Sequence, residues 1–183
     1  MKILVISDTH GDNRRVYDIF DRLPKIDLVI HCGDYKKDAD ELAKHIGQIR
    51  IESVKGNCDS HLSTDFSIVE TEAGDIFVTH GHDFGVNYSL DGLAEVALDY
   101  GCKAVCFGHT HMPLCIEHKG ILMVNPGSLN EPRGASCASC AVITTEKDAF
   151  YANIAFYSTL CKSAKEIKKG GYLRDMLNYS DGF

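Results

Sequence analysis

Five short groups in this chain set carboxylate, amide and imidazole side chains close together: Ser7-Asp8-Thr9-His10, His31-Cys32-Gly33-Asp34, Gly56-Asn57-Cys58-Asp59, Thr79-His80-Gly81-His82 and Gly108-His109-Thr110-His111. In extended backbone, residues i and i+2 project to the same side. Asp8 with His10, and His109 with His111, can therefore each aim two ligand atoms at one small region. Asp34, Asn57 and His80 add three more donors. A mixture of carboxylate oxygen, amide oxygen and imidazole nitrogen suits borderline divalent ions such as Mn²⁺, Fe²⁺ or Zn²⁺, not Ca²⁺, which prefers oxygen throughout. So many ligands exceed the capacity of one tetrahedral ion, whereas two ions about 3.5–4 Å apart that share a bridging carboxylate would use them all. Taken singly each motif is weak, because an Asp after a strand usually caps a helix and a Gly-Asp is usually a turn. All five occur in order, each behind a strand-like run. His31, His45, His61 and His118 lack that context and read as structural.

These ligands need elements to position them. Lys2 to Ser7 is apolar and β-branched at nearly every position, as in a strand buried on both faces. Asp12 and Asn13 offer N-caps to a helix carrying Val16, Tyr17, Ile19, Phe20 and Leu23, stopped by Pro24. Asp27 to His31 reads as a strand, Asp38 to Gly47 as a helix, and Arg50 to Val54 as a third strand. The resulting βαβαβ opening implies a parallel sheet. A hairpin follows over Asp65 to Thr71 and Ile76 to Thr79, then a helix through Leu90, Leu93, Ala94, Val96 and Ala97 that closes at Gly101. Strand-like runs then dominate: Ala104 to Phe107, Cys115 to His118, Ile121 to Val124, Ala141 to Thr145 and Phe150 to Tyr157. Two packed sheets with helices outside would bury both halves together. In open α/β sheets, ligand sites form at the C-terminal edge of the strands, and each of the five groups falls there.

The chain has 183 residues, enough for one compact domain spanning 1–183, with the Lys-rich segment 162–183 expected to be a short solvated helix with a mobile end. Its 44% hydrophobic and 25% charged residues fit a folded globular protein and exclude disordered or fibrous classes. A net charge of −7 argues against stable nucleic-acid binding, so an anionic substrate would need a locally positive site. The apolar runs are far shorter than the roughly 20 residues of a membrane span. The four residues Ile3 to Ile6 cannot form a secretory core, so the expected location is cytoplasmic. The eight cysteines are then expected to be reduced thiols, Cys137-Ala-Ser-Cys140 included.

The ordered set Asp8-Thr-His10, Gly33-Asp34, Gly56-Asn57, His80-Gly-His82 and Gly108-His109-Thr-His111 closely resembles the motifs of the calcineurin-like metallophosphoesterases. The Gly-Asn-Cys-Asp of Gly56 to Asp59 and Asn125-Pro126-Gly127-Ser128 look like the small prokaryotic phosphodiesterase branch. The resemblance runs from Met1 to about Phe156 and implies a four-layer α/β/β/α sandwich of two mixed sheets flanked by helices. It also implies that Asp8, His10 and His111 hold one ion and Asn57, His80 and His109 the other, with Asp34 bridging them. Mn is the expected metal, with Fe, Zn or Ni as alternatives. The implied activity is hydrolysis of a small phosphodiester by in-line attack of a metal-bridging hydroxide. The alternatives are a phosphomonoesterase, or a protein-interaction scaffold such as the retromer subunit of the same fold. A homo-oligomer is possible. His82 could orient a neighbouring group, touch the phosphate, or serve the structure alone. Many relatives carry a His directly after the motif Asn to protonate the leaving group, where this chain has Cys58. That departure leaves the general acid open among a metal-bound water, His82 and a leaving group that needs no proton.

Overall fold

The computed structural model describes residues 1–23, 25–59 and 65–161; Pro24, His61 and the expected tail helix lie outside the described residues. The elements are β1 (Lys2–Ile6), α1 (Arg14–Phe20), β2 (Leu28–His31), α2 (Lys36–Ile46), β3 (Arg50–Ser53), β4 (Phe66–Val69), β5 (Ile76–Thr79), a 3-10 turn (His82–Phe84) and α3 (Asp91–Asp99). They continue with β6 (Ala104–Cys106), β7 (Pro113–His118), β8 (Ile121–Pro126), β9 (Ser139–Glu146), β10 (Ala149–Phe156) and α4 (Tyr157–Leu160).

The strands form two five-stranded sheets, ordered β10-β9-β1-β2-β3 and β4-β5-β6-β8-β7. Each is mixed. β1, β2 and β3 run parallel, β9 pairs antiparallel with β1, and β10 pairs antiparallel with β9. β5, β6 and β8 run parallel, with β4 and β7 antiparallel on the two edges. Alternation along β1 decides the layering. Ile3 and Val5 face the second sheet and pack with Ile30, Val78, Cys106 and Val124, whereas Leu4 and Ile6 face outward against Val16, Ile19 and Leu42 of α1 and α2. On the far side, Phe77, Val105 and Met123 pack against Leu93, Ala94 and Ala97 of α3. The four-layer α/β/β/α arrangement expected from the sequence is therefore the one observed. Among the described residues, no helix is long and apolar enough to cross a membrane.

Several local expectations differ from the structure. Asn13 does not cap α1 with its side chain; its amide donates instead to the Asp38 carbonyl at 2.8 Å, while Asp12 Oδ1 takes the Arg14 N–H at 3.0 Å. α1 ends at Phe20, and Leu23 packs on the same core cluster from beyond the helix. α2 begins at Lys36, two residues early, which puts Asp38 in its first turn, where an acidic side chain suits the helix dipole. β7 starts at Pro113, tolerable because β7 is an edge strand and proline removes a donor that needs no partner there. Tyr157 opens α4 instead of ending β10.

Candidate metal centre

The C-terminal ends of β1, β2, β3, β5 and β6 carry Asp8/His10, Asp34, Asn57, His80 and His109/His111 respectively. Both sheets therefore deliver ligands to one place. Asp8 Oδ1 lies 3.2 Å from His111 Nε2 and 3.9 Å from His80 Nε2. His10 Nε2 is 3.3 Å from His111 Nε2, and His10 Nδ1 is 2.9 Å from Asp34 Oδ2. Asn57 Oδ1 lies 2.9 Å from His80 Nε2 and 3.1 Å from His109 Nδ1. Ligand atoms of Asp8, His10 and His111 form one cluster and those of Asp8, Asp34 and His80 a second, each within 4.8 Å. His82 stacks obliquely on the same group, its ring centroid 5.3 Å from that of His80, with a buried Nδ1 that has no hydrogen-bond partner. Cys58 Sγ accepts from Asn57 Nδ2 at 3.4 Å. The structure thus brings all nine sequence-derived site residues together.

The hydrogen-bond partners of the imidazoles fix their proton positions and so what the cluster can hold. His80 Nδ1 lies 2.8 Å from the Cys32 carbonyl and must donate to it, so in neutral His80 a lone pair on Nε2 faces the amide oxygen of Asn57. His111 Nδ1 likewise donates to the Glu131 carbonyl at 2.7 Å and turns its Nε2 toward Asp8 and His10. Asp34 Oδ2 is buried, and its close neighbour His10 Nδ1, 2.9 Å away, does not meet it in hydrogen-bond geometry. Lone pairs that face lone pairs at these distances call for cations between them, and an imidazole held through its other nitrogen is the usual form of a metal-ligating His. The donor set therefore fits divalent ions.

Electrostatics agree. Burial pulls the His80 and His109 imidazoles below their usual range, so both are neutral and available as donors at neutral pH. Burial pushes His111 the same way, but the hydrogen bond and charge of the Asp8 carboxylate and the Glu131 carbonyl together outweigh this and raise it. For Asp8, burial pulls upward and is outweighed by the His111 bond, the His80 charge and the Ser7 hydroxyl, leaving the carboxyl lowered and ionised.

Two glycines let the loops meet. A Cβ on Gly56 would overlap the backbone of Asp34, and one on Gly108 would collide with Ser7 Oγ and come within 2.8 Å of Asp8 Oδ2. That contact is why Gly precedes Asn57 and His109. Five ligands also adopt left-handed backbone: Asp8 (φ 53°), His10 (49°), Asp34 (104°), His109 (67°) and His111 (58°). Non-glycine residues there cost about 1–2 kcal/mol each, so surrounding bonds must hold them.

The sequence reading passed over those bonds. In the sequence Asn125 and Ser128 are only marks of resemblance, yet in the structure they brace both ligand loops. Asn125 Nδ2 donates to the Gly108 carbonyl (2.8 Å) and Thr110 Oγ1 (3.1 Å), while Ser128 Oγ donates to the Asp8 carbonyl at 2.8 Å. Asn130 adds bonds to the carbonyls of Thr9 and Asp12, each 2.7 Å. The one available signal was their position directly behind a strand-like run.

The sequence model of the calcineurin-like phosphoesterase superfamily domain matches residues 1–148. The chain belongs to that superfamily. It is accordingly a metal-dependent phosphoesterase by family, on a fold that gathers groups able to hold a metal ion at its strand ends. The Bacillus subtilis (strain 168) protein named probable metallophosphoesterase YsnB is 36% identical over 161 residues, covering 86% of this chain and 90% of its own. Phosphodiesterase YfcE of Escherichia coli (strain K12) is 27% identical over 171 residues, covering 80% and 89%. Among solved structures, a conserved protein from Streptococcus pneumoniae TIGR4, described as a predicted phosphoesterase, superposes with a TM-score of 0.73 at 30% identity, covering 86% of this chain and 90% of that one.

Proposed function

We propose that this calcineurin-like phosphoesterase hydrolyses small phosphodiesters with two divalent ions, Asp8, His10 and His111 holding one, Asn57, His80 and His109 the other, and Asp34 touching both. The observation that carries this is the convergence of ligand atoms from both sheets, above all the lone pair of His80 Nε2 against Asn57 Oδ1, with His111 Nε2 against His10 Nε2 and Asp8 Oδ1 beside it. Two divalent ions bound there would supply Lewis acidity toward the phosphoryl oxygens and lower the pKa of a coordinated water from 15.7 toward about 7. They also overcompensate Asp8 and Asp34, leaving local positive charge for an anionic ester in a chain whose net charge is −7. Charges beyond about 8–10 Å are screened at physiological salt, so the local excess decides.

The diester class is supported by Glu131, whose 57%-exposed carboxylate stands 3.6 Å from His10 Nε2. A fixed negative charge at the rim disfavours a dianionic monoester more than a monoanionic diester. The name of YfcE points the same way. Asn57 and Cys58 are exposed and His109 is half-exposed, so substrate enters on that side. Burial, followed by the bond to Asp34, raises the Cys58 thiol, which therefore meets the leaving group as a neutral S–H. His82 lies beside His80 and His109, where it would face a bound phosphate. Mn²⁺ is the proposed ion on its tolerance of mixed O and N ligands, and the cytoplasm the proposed location.

The test is hydrolysis of bis(p-nitrophenyl) phosphate by chelator-treated protein with and without added Mn²⁺, with p-nitrophenyl phosphate as the monoester control. Activity restored by Mn²⁺ and favouring the diester is expected. Equal rates with and without metal would overturn the proposal.

A further inference from the structure

Beneath the cluster lies a buried polar chain that none of the ligand assignments uses. Thr9, between ligands Asp8 and His10, is fully buried, as are His31 at the end of β2 and Asp38 in the first turn of α2. Thr9 Oγ1 lies 2.6 Å from Asp38 Oδ2 and 3.0 Å from His31 Nε2, the Gly33 N–H donates to His31 Nδ1 at 3.2 Å, and the Gly11 N–H donates to the same Asp38 oxygen at 2.8 Å.

Only one proton arrangement satisfies all four contacts. An ionised carboxylate accepts only, so the Thr9 hydroxyl and the Gly11 amide both donate to it. The Thr9 oxygen is then free to accept, and His31 must donate from Nε2. His31 Nδ1 accepts from Gly33, which fixes the ring as the neutral Nε2–H tautomer. Doubly protonated His31 would set an N–H against the Gly33 N–H. The relay runs Gly33 to His31 to Thr9 to Asp38, joining the loop before Asp34 to the loop bearing Asp8 and His10.

Three of four consecutive residues here are left-handed, Asp8 (φ 53°), His10 (49°) and Gly11 (78°), and Asp34 follows Gly33 at φ 104°. Such backbone persists only where its surroundings over-determine it. Thr9 is held from below by this relay and from above by Asn130 on its carbonyl. We propose that His31, Thr9 and Asp38 are positioning residues that hold Asp8, His10 and Asp34 at ion-binding geometry, by bridging the two strained loops from within the protein. This rests on the metal reading of the site.

Thr9→Val keeps the shape and deletes the hydroxyl, whereas Thr9→Ser keeps the hydroxyl. With Mn²⁺ as the probe, calorimetric titration of Thr9→Val should show affinity at least about tenfold weaker than wild type, the range seen when outer partners of metal ligands are removed. At saturating Mn²⁺, its kcat on bis(p-nitrophenyl) phosphate should fall while KM holds, and Thr9→Ser should restore both. His31→Ala should reproduce Thr9→Val, and the double variant should lose no more than either alone, as expected for one relay. A folded Thr9→Val or His31→Ala protein with wild-type Mn²⁺ affinity and kcat overturns the proposal. Wild-type protein that takes up no Mn²⁺ instead overturns the underlying metal reading, so the two failures are distinct.

Discussion

Replacing Asn125 by Ala tests whether the ligand loops are held by a few buried bonds. Asn125 is completely buried and makes three of them: Nδ2 to the Gly108 carbonyl (2.8 Å), Nδ2 to Thr110 Oγ1 (3.1 Å), and the Gly127 N–H to Oδ1 (2.9 Å). Two acceptors keep other partners, since Gly108 O also takes the Thr110 N–H at 2.8 Å and Thr110 Oγ1 takes the Met112 N–H at 3.2 Å. Their loss therefore costs only the net value of each bond, about 0.5–1.5 kcal/mol. The Gly127 N–H has no alternative partner and is left buried, adding about 1–3 kcal/mol. The sum is about 2–6 kcal/mol, a large share of the roughly 5–15 kcal/mol that holds a domain together. Asn125→Asp should be worse, because it keeps the Gly127 contact but turns a charged acceptor on the Gly108 carbonyl. Urea unfolding followed by circular dichroism, on metal-free protein, measures the loss. Titration with Mn²⁺ should then show weakened binding, since the loop bearing His109 and His111 is released. A loss below about 1 kcal/mol together with unchanged Mn²⁺ affinity would refute the bracing role.

Gly108→Ala should abolish activity and destabilise the fold by about 1–3 kcal/mol, the usual cost of overpacking, because the added methyl collides with Ser7 Oγ beside Asp8; a folded, active variant would show that the two loops can part. Cys58→His should raise turnover most on esters of weakly acidic alcohols, as the neutral thiol is a poorer proton donor than an imidazolium; an unchanged leaving-group dependence, from rates on a series of aryl and alkyl diesters, would count against that role. Asp91 sits at about 2, held down first by Lys119 and then by Ser89 and His118. Its folded value lies below its unfolded one near 3.8, so the stabilisation is complete above about pH 4 and is lost as pH falls toward 2. The stability gap between wild type and Asp91→Asn, small because the pair is exposed, should thus close over that interval in urea titrations.

Much of this was legible in the chain. β1 and β2 announce themselves because strands buried on both faces must be apolar throughout, and the β4–β5 hairpin is marked by turn residues between two short runs. The ligands were legible because each follows such a strand at chelating spacing. The braces were not. Ser128 reaches Asp8 across 120 positions and Asn125 reaches Gly108 across 17, and no local pattern encodes such pairings. Asp38 and His31 were hidden for another reason: a helix-opening Asp and a strand-ending His look ordinary, and only their convergence on Thr9 gives them a task. α1 starts directly after Asn13, as expected, but without the capping bond, because the Asn13 side chain is spent on the Asp38 carbonyl instead.

The left-handed ligands have a consequence for the history of such proteins. A glycine at His10, His109 or His111 would let the backbone relax while deleting the ion site, so forfeiting hydrolysis makes the bare scaffold easier to fold. Once selection for turnover lapses, drift therefore runs downhill, and the architecture outlives its chemistry. The return path must accept conformational strain before any ion is present to reward it. Activity on this frame is simple to lose and hard to regain.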